Sequence, residues 1–149
     1  MTVTQAWRFF HARDHALHSP LSRQPLVWER RMNAPVCTYE RPCTTVPGPC
    51  GGCGYTVIFD PEGFALMLRY LEANNRFDGK TVVAARVKVR GPVAAARFQA
   101  RWSRSFATEY RAADVELTEL HVLERDVDAA PGLAARYGIP VLTLENLKK

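Results

Sequence analysis

Hydrophobic positions along the chain follow two different periods. Over residues 81–90, Val83, Ala85, Val87 and Val89 alternate with Arg86, Lys88 and Arg90, the period-2 pattern of a strand with one buried face. Alternation resumes after Gly91-Pro92, with Phe98, Ala100 and Trp102 set against Arg97, Gln99 and Arg101. Two such runs around a Gly-Pro break predict an antiparallel pair with Val83, Val87, Val89, Phe98 and Trp102 buried. The Ala-rich composition of 93–112 keeps a helix there as the competing reading.

Helical spacing is cleanest after Asp60. Phe64, Met67, Leu68 and Leu71 recur on one face until Asn74-Asn75. Asp60 is placed to cap the helix, Pro61 fits its first position, and Glu62 suits the positive end of its dipole. Further strands are predicted at Tyr55–Phe59, Leu117–Leu123 and Pro140–Leu144, with a short helix at Ala130–Tyr137. In residues 1–36, Trp7 and Phe9 flank Arg8, and Ser19-Pro20 and Gln24-Pro25 mark turns. Short extended segments are expected there. Without repeats or a linker, residues 1–149 read as one α+β domain. It is a mainly antiparallel sheet with a central helix, a C-terminal helix-strand and a zinc-knuckle-like four-cysteine loop.

Composition narrows the classes. The chain has 149 residues, 47% hydrophobic and 23% charged, which excludes collagen-like, low-complexity and wholly disordered proteins. A domain this size buries enough surface to fold without metal or disulfides. No apolar run approaches a membrane span, and residues 1–8 lack the features of a secretory signal. The expected location is the cytoplasm, where clustered cysteines point to metal or redox chemistry.

Cys37, Cys43, Cys50 and Cys53 are spaced C-x5-C-x6-C-x2-C. Four thiolates complete a tetrahedral Zn²⁺ shell at about 2.3 Å per bond. Gly51 and Gly52 allow the tight turn that points Cys50 and Cys53 at one ion. Structural zinc is the first reading. Thiol-disulfide chemistry at Cys50 and Cys53 is the alternative.

Pro49-Cys50-Gly51-Gly52-Cys53 also matches half of the zinc-deaminase signature. The His-x-Glu half is missing, because His11, His15, His18 and His121 are followed two residues on by Arg13, Leu17, Pro20 and Leu123. The stretch from Asp126 to Pro140 looks like the segment before the cis-proline loop of thioredoxin-like proteins. However, Cys53 runs into Gly54 and a β-rich run, not into the helix N-terminus that would activate a thiol. A terminal helix and strand joined by Gly138-Ile139-Pro140 is the simpler reading. His11, His15 and His18 stand at i, i+4 and i+7, and on a helix they would share a metal-binding face. The flanking aromatics and Ser19-Pro20 favour a turn and solvated histidines instead.

The order of features resembles a group of small bacterial and phage-borne proteins, mainly actinobacterial. The residues that carry the likeness are Ala6-Trp7-Arg8, Ser19-Pro20, Trp28 and Ala34-Pro35-Val36-Cys37. Cys50-Gly51-Gly52-Cys53-Gly54-Tyr55, Val83-Ala84-Ala85-Arg86-Val87, Gly91-Pro92-Val93 and the stretch from Leu133 to Val141 continue it. The chain departs from the group at Ala85, where glycine is usual, at Val89, where an aromatic is usual, and at Cys43, in place of a histidine. The resemblance implies a metal knuckle and a strand pair as framework. It implies no activity.

Net charge is +5, unevenly spread. Residues 80–104 hold seven basic side chains and no acid, whereas 109–128 hold seven acids against Arg111 and Arg125. If the two β runs pair, Arg86, Lys88, Arg90, Arg97 and Arg101 share a solvent face. Such a face is either neutralised by the acidic segment or open to a polyanion. The expected function is a non-enzymatic, zinc-stabilised binding module with no catalytic residues. Its partner would be nucleic acid or a nucleic-acid-handling protein, met through this basic face. A thiol-disulfide oxidoreductase and a phage-related protein-interaction factor are the alternatives. Neither a membrane nor a small-molecule substrate is expected.

Overall fold

The computed structural model describes residues 4–18, 27–28, 43–48, 54–74, 79–96 and 104–144. In chain order these form β1 (Thr4–Arg13), β2 (Ala16–His18), β3 (Val27–Trp28), β4 (Tyr55–Ile58), α1 (Pro61–Ala73), β5 (Thr81–Ala95), β6 (Glu109–Leu123), a 3-10 segment (Glu124–Ala129), α2 (Ala130–Tyr137) and β7 (Val141–Leu144). The protein is α+β with a mainly antiparallel sheet and two helices.

The start of α1 is set by local chemistry. The Asp60 carboxylate accepts the Glu62 N–H at 3.1 Å, and Pro61 occupies the first turn, where its missing N–H costs nothing. At the other end the Asn74 side chain donates to the Tyr70 carbonyl at 2.8 Å. Phe64, Met67, Leu68 and Leu71 are buried on the outer face of the sheet against Ile58, Val82, Ala84 and Leu123.

The sheet curls into a ring. β1 pairs antiparallel with β5 over Thr4↔Val89 to Ala12↔Thr81, and β5 pairs with β6 along most of its length. β6 pairs with β4 over Tyr55↔Ala112 to Ile58↔Glu109, and β4 returns to β1 through Trp7↔Ile58. Closure gives the sheet an interior, filled by Phe10, Val57, Val83, Val87, Val115, Leu117 and Leu120. Ala6, Ala85 and Ala112 are each 0% exposed, and side chains this small let so few strands close on one another. α2 seals the interior with Leu133 and Tyr137. Gly138, at φ 64°, then ends it in the left-handed conformation and leads into β7, which runs parallel to β6.

One expectation is corrected. Gly91-Pro92 is not a turn, because β5 runs through it to Ala95. Pairing jumps there from Arg90↔Asp114 to Val93↔Ala112, so two β5 residues face one on β6. Gly91, at φ +74°, and Pro92, which lacks an N–H, are the residue types that a bulge as well as a turn demands. β5 therefore pairs with β1 and β6, not with a following strand over 97–102, and Phe98 and Trp102 lie outside the described residues. A continuous helix over 93–112 is overturned by the same strands. As expected, His11, His15 and His18 are not on a helix. They sit on a hairpin whose two-residue loop, Asp14 (φ 53°) and His15 (φ 62°), has the positive φ angles that match the twist of paired strands.

Candidate functional site

Among the described residues, the outer face of β1, β5 and β6 carries the most organised polar chemistry. Arg86 stands between Trp7 on β1 and Glu119 on β6. Its guanidinium lies 5.7 Å from the centre of the Trp7 ring and 3.9 Å from the Glu119 carboxylate. His121 extends the row: its Nε2 is 2.6 Å from Glu119 Oε1, and its ring centre is 5.5 Å from that of Trp7. On its far side Trp7 stacks on Phe64 of α1, 5.5 Å away at 19°. One ladder step along, Lys88 faces Glu116, and Arg90 reaches the Glu116 carboxylate at 3.4 Å.

A second bulge sets this charge matching. Pairing jumps from Arg86↔Glu119 to Val87↔Leu117, leaving Thr118 as an extra residue whose hydroxyl donates to the Arg86 carbonyl at 3.0 Å. In a regular strand, positions 116 and 119 point to opposite faces. The inserted Thr118 brings Glu116 and Glu119 to the same face, opposite Lys88 and Arg86. Of the five predicted contact residues, Arg86, Lys88 and Arg90 thus share one face, as the alternation requires, but acids from β6 stand across from each of them. Arg97 and Arg101 lie outside the described residues.

Of the four predicted zinc ligands, Cys37, Cys50 and Cys53 also lie outside the described residues. Among the described residues no group of three or more metal-ligating side chains occurs. Cys43 is half-buried in a segment held down by Arg111. This arginine, only 7% exposed, donates from Nη1 to the Gly48 carbonyl and from Nε to the Ala95 carbonyl, both at 3.2 Å. It pins the cysteine loop and the end of β5 to β6 together. The Cys43 side chain lies directly over Gly48, where a Cβ would collide with its Cβ and Sγ, and Pro47 packs beside Gly54. Arg111 carried no signal in the sequence beyond its setting among seven acids.

Two other polar groups, the half-buried Arg8 and the buried Tyr137, escaped the sequence reading. Arg8 points into the ring, where it donates to the Thr56 carbonyl at 2.9 Å and lies 5.0 and 5.7 Å from the ring centres of Phe10 and Tyr55. Burial pulls its guanidinium down to about 10, against the opposing pull of Tyr55 and Glu109. It remains charged at neutral pH. Tyr137 closes the other end with its hydroxyl on the backbones of β2 and β3.

Among the described residues no helix is long and apolar enough to cross a membrane. In comparisons with known proteins, no family model, curated protein or solved structure matches the chain. The reading of its function therefore rests on this chemistry.

Proposed function

We propose that the chain is a non-enzymatic binding module that docks a protein partner on the outer face of β1, β5 and β6. A protein that handles nucleic acid is the class its basic composition suggests. The observation that carries this reading is the row Trp7–Arg86–Glu119–His121, in which an aromatic and an arginine stand beside a carboxylate and an imidazole. Aromatic and arginine side chains are enriched in protein interfaces, and mixed charges select a partner by complementarity. A phosphate backbone would instead meet Glu116 and Glu119 beside every arginine. Direct contact with nucleic acid is the second reading, and it is favoured by the net charge of +5 and by Arg97 and Arg101.

Retention on immobilised DNA and RNA over a salt gradient separates the two. Under the protein-partner reading the wild type elutes early, and an Arg86→Gln/Arg90→Gln double variant elutes with it. Strong retention with a salt slope that falls by about 2 in the variant would establish phosphate contact and overturn the reading.

The reading includes a structural zinc on Cys37, Cys43, Cys50 and Cys53. It is supported by the packing around Cys43, since Gly48 and Gly54, on either side of the Cys50–Cys53 pair, both border the Cys43 loop. Metal analysis of the purified chain should find about one zinc per chain, lost in Cys43→Ser together with stability. Metal-free chain with reactive Cys50 and Cys53 would favour the thiol-disulfide alternative.

A further inference from the structure

The β1–β2 hairpin leaves two imidazole nitrogens in need of a ligand. Its tight loop sets the register Arg13↔Ala16, Ala12↔Leu17 and His11↔His18. His11 and His18 therefore stand directly opposite one another on one face, with Cβ atoms about 4.5–5.5 Å apart as in any such pair. The Nδ1 of each ring is shielded from solvent and has no hydrogen-bond partner among the described residues. One such atom costs about 1–3 kcal/mol. Two on a single cross-strand pair can be satisfied together by a ligand that accepts both lone pairs at once.

From this geometry we infer that His11 and His18 form a two-imidazole chelate for a divalent transition-metal ion. The donor set decides the class of ion. Neutral imidazoles suit Zn²⁺, Ni²⁺ and Cu²⁺, whereas Mg²⁺ and Ca²⁺ need several oxygen ligands. Both ligands sit on a two-strand ladder, which holds them in place before the metal arrives. His15, the third histidine of the cluster, takes no part. It occupies the loop, and its ring lies against Gly132 of α2, where any side chain would collide with it. Arg13 and Lys80 bear electrostatically on His11, so a bound cation must form bonds strong enough to outweigh their repulsion. Among divalent ions the imidazole donors favour Cu²⁺ over Ni²⁺ and Zn²⁺. Neither of its ligands belongs to the four-cysteine set or to the row Trp7–Arg86–Glu119–His121.

Zn²⁺ is the probe that tests it, since it does not oxidise the thiols. The ring nitrogens of the four histidines are followed by NMR while Zn²⁺ is added to the intact chain. The cysteines contribute no signal to this readout. The expected result is a joint shift of the His11 and His18 rings on one binding curve, with His15 and His121 unmoved. His11→Gln should abolish the shift at His18, and His18→Gln should abolish it at His11. Each should weaken binding at least tenfold, while His15→Gln leaves it intact. Rings of His11 and His18 that stay unmoved up to millimolar Zn²⁺, or that move on separate curves, would overturn the assignment without recourse to any variant.

Discussion

The hydroxyl of Tyr137 donates to the carbonyl of Trp28 at 2.6 Å while accepting the N–H of Leu17 at 2.8 Å. One side chain near the end of the chain thus satisfies two backbone groups near its beginning, and does so with its own ring 4% exposed. Tyr137→Phe keeps the shape and removes the oxygen, leaving the Leu17 N–H buried and unpaired. The expected loss is about 1–3 kcal/mol in denaturant unfolding. A loss under about 0.5 kcal/mol, within the range of neutral surface changes, would mean the two bonds contribute nothing.

Two glycines should respond differently to alanine. At Gly91, φ is +74° and nothing lies within 4 Å of an added Cβ, so Gly91→Ala costs only the left-handed backbone, about 1–2 kcal/mol. At Gly63 an added Cβ runs into the Phe106 carbonyl oxygen and the Asp60 carboxylate. A backbone oxygen cannot swing aside, so Gly63→Ala should lower the melting temperature further than Gly91→Ala. The reverse order would contradict the close packing of α1 on the segment after Arg104.

Arg8 should tolerate loss of charge better than a change of cation. Arg8→Met keeps the apolar stem and removes a charge that burial disfavours, at the cost of the donor to the Thr56 carbonyl. Arg8→Lys keeps the charge but loses the flat stacking on Phe10 and Tyr55, and a compact ammonium is costlier to strip of water. Unfolding curves should place the Lys variant below the Met variant by about 1–3 kcal/mol. Equal stabilities would mean that the planar guanidinium is not what the pocket selects.

Asp126 supplies a pH signature. Burial pushes its carboxyl above the ordinary value, opposed by Arg125 and reinforced by Glu72. The Arg125 Nε lies 3.7 Å from Oδ2, too far for a hydrogen bond. With its folded value raised, the folded state holds the proton more tightly than the unfolded chain. The ionised carboxylate therefore destabilises the fold above the folded value, and that penalty is relieved as pH falls to the unfolded value near 3.9. Asp126→Asn should be at least as stable as wild type at pH 7, with the difference shrinking through the acid range. A variant less stable at pH 7 than at pH 4, relative to wild type, would reverse the sign.

Where a signal was local, the sequence was readable. The caps and spacing of α1, the extent of α2 and the alternation of Val83, Val87 and Val89 all follow from neighbours within a few residues. Gly91-Pro92 misled because turns and bulges draw on the same residues, and only the pairing partner tells them apart. Glu116 and Glu119 were unreadable as a pair for a related reason. An odd spacing assigns them to opposite faces until Thr118 is known to be an insertion. The histidines show the same limit, since i, i+4 and i+7 spacing suits a helix, whereas a two-residue loop brings only the outer pair together. Arg8, Arg111 and Tyr137 are long-range stitches, and no local pattern announces them.

Closure of the ring also orders the steps of folding. β5 and β6 pair residues 15 to 39 positions apart, from Ala95↔Tyr110 to Val83↔Val122, whereas β1 meets β5 across 69 to 85 positions, from Ala12↔Thr81 to Thr4↔Val89. The entropy of closing a loop grows only slowly with its length, about 0.6 kcal/mol per doubling, but the search it implies is slow. The nearer pairing favours the β5–β6 ladder as the template on which β1, the first-made strand, docks later.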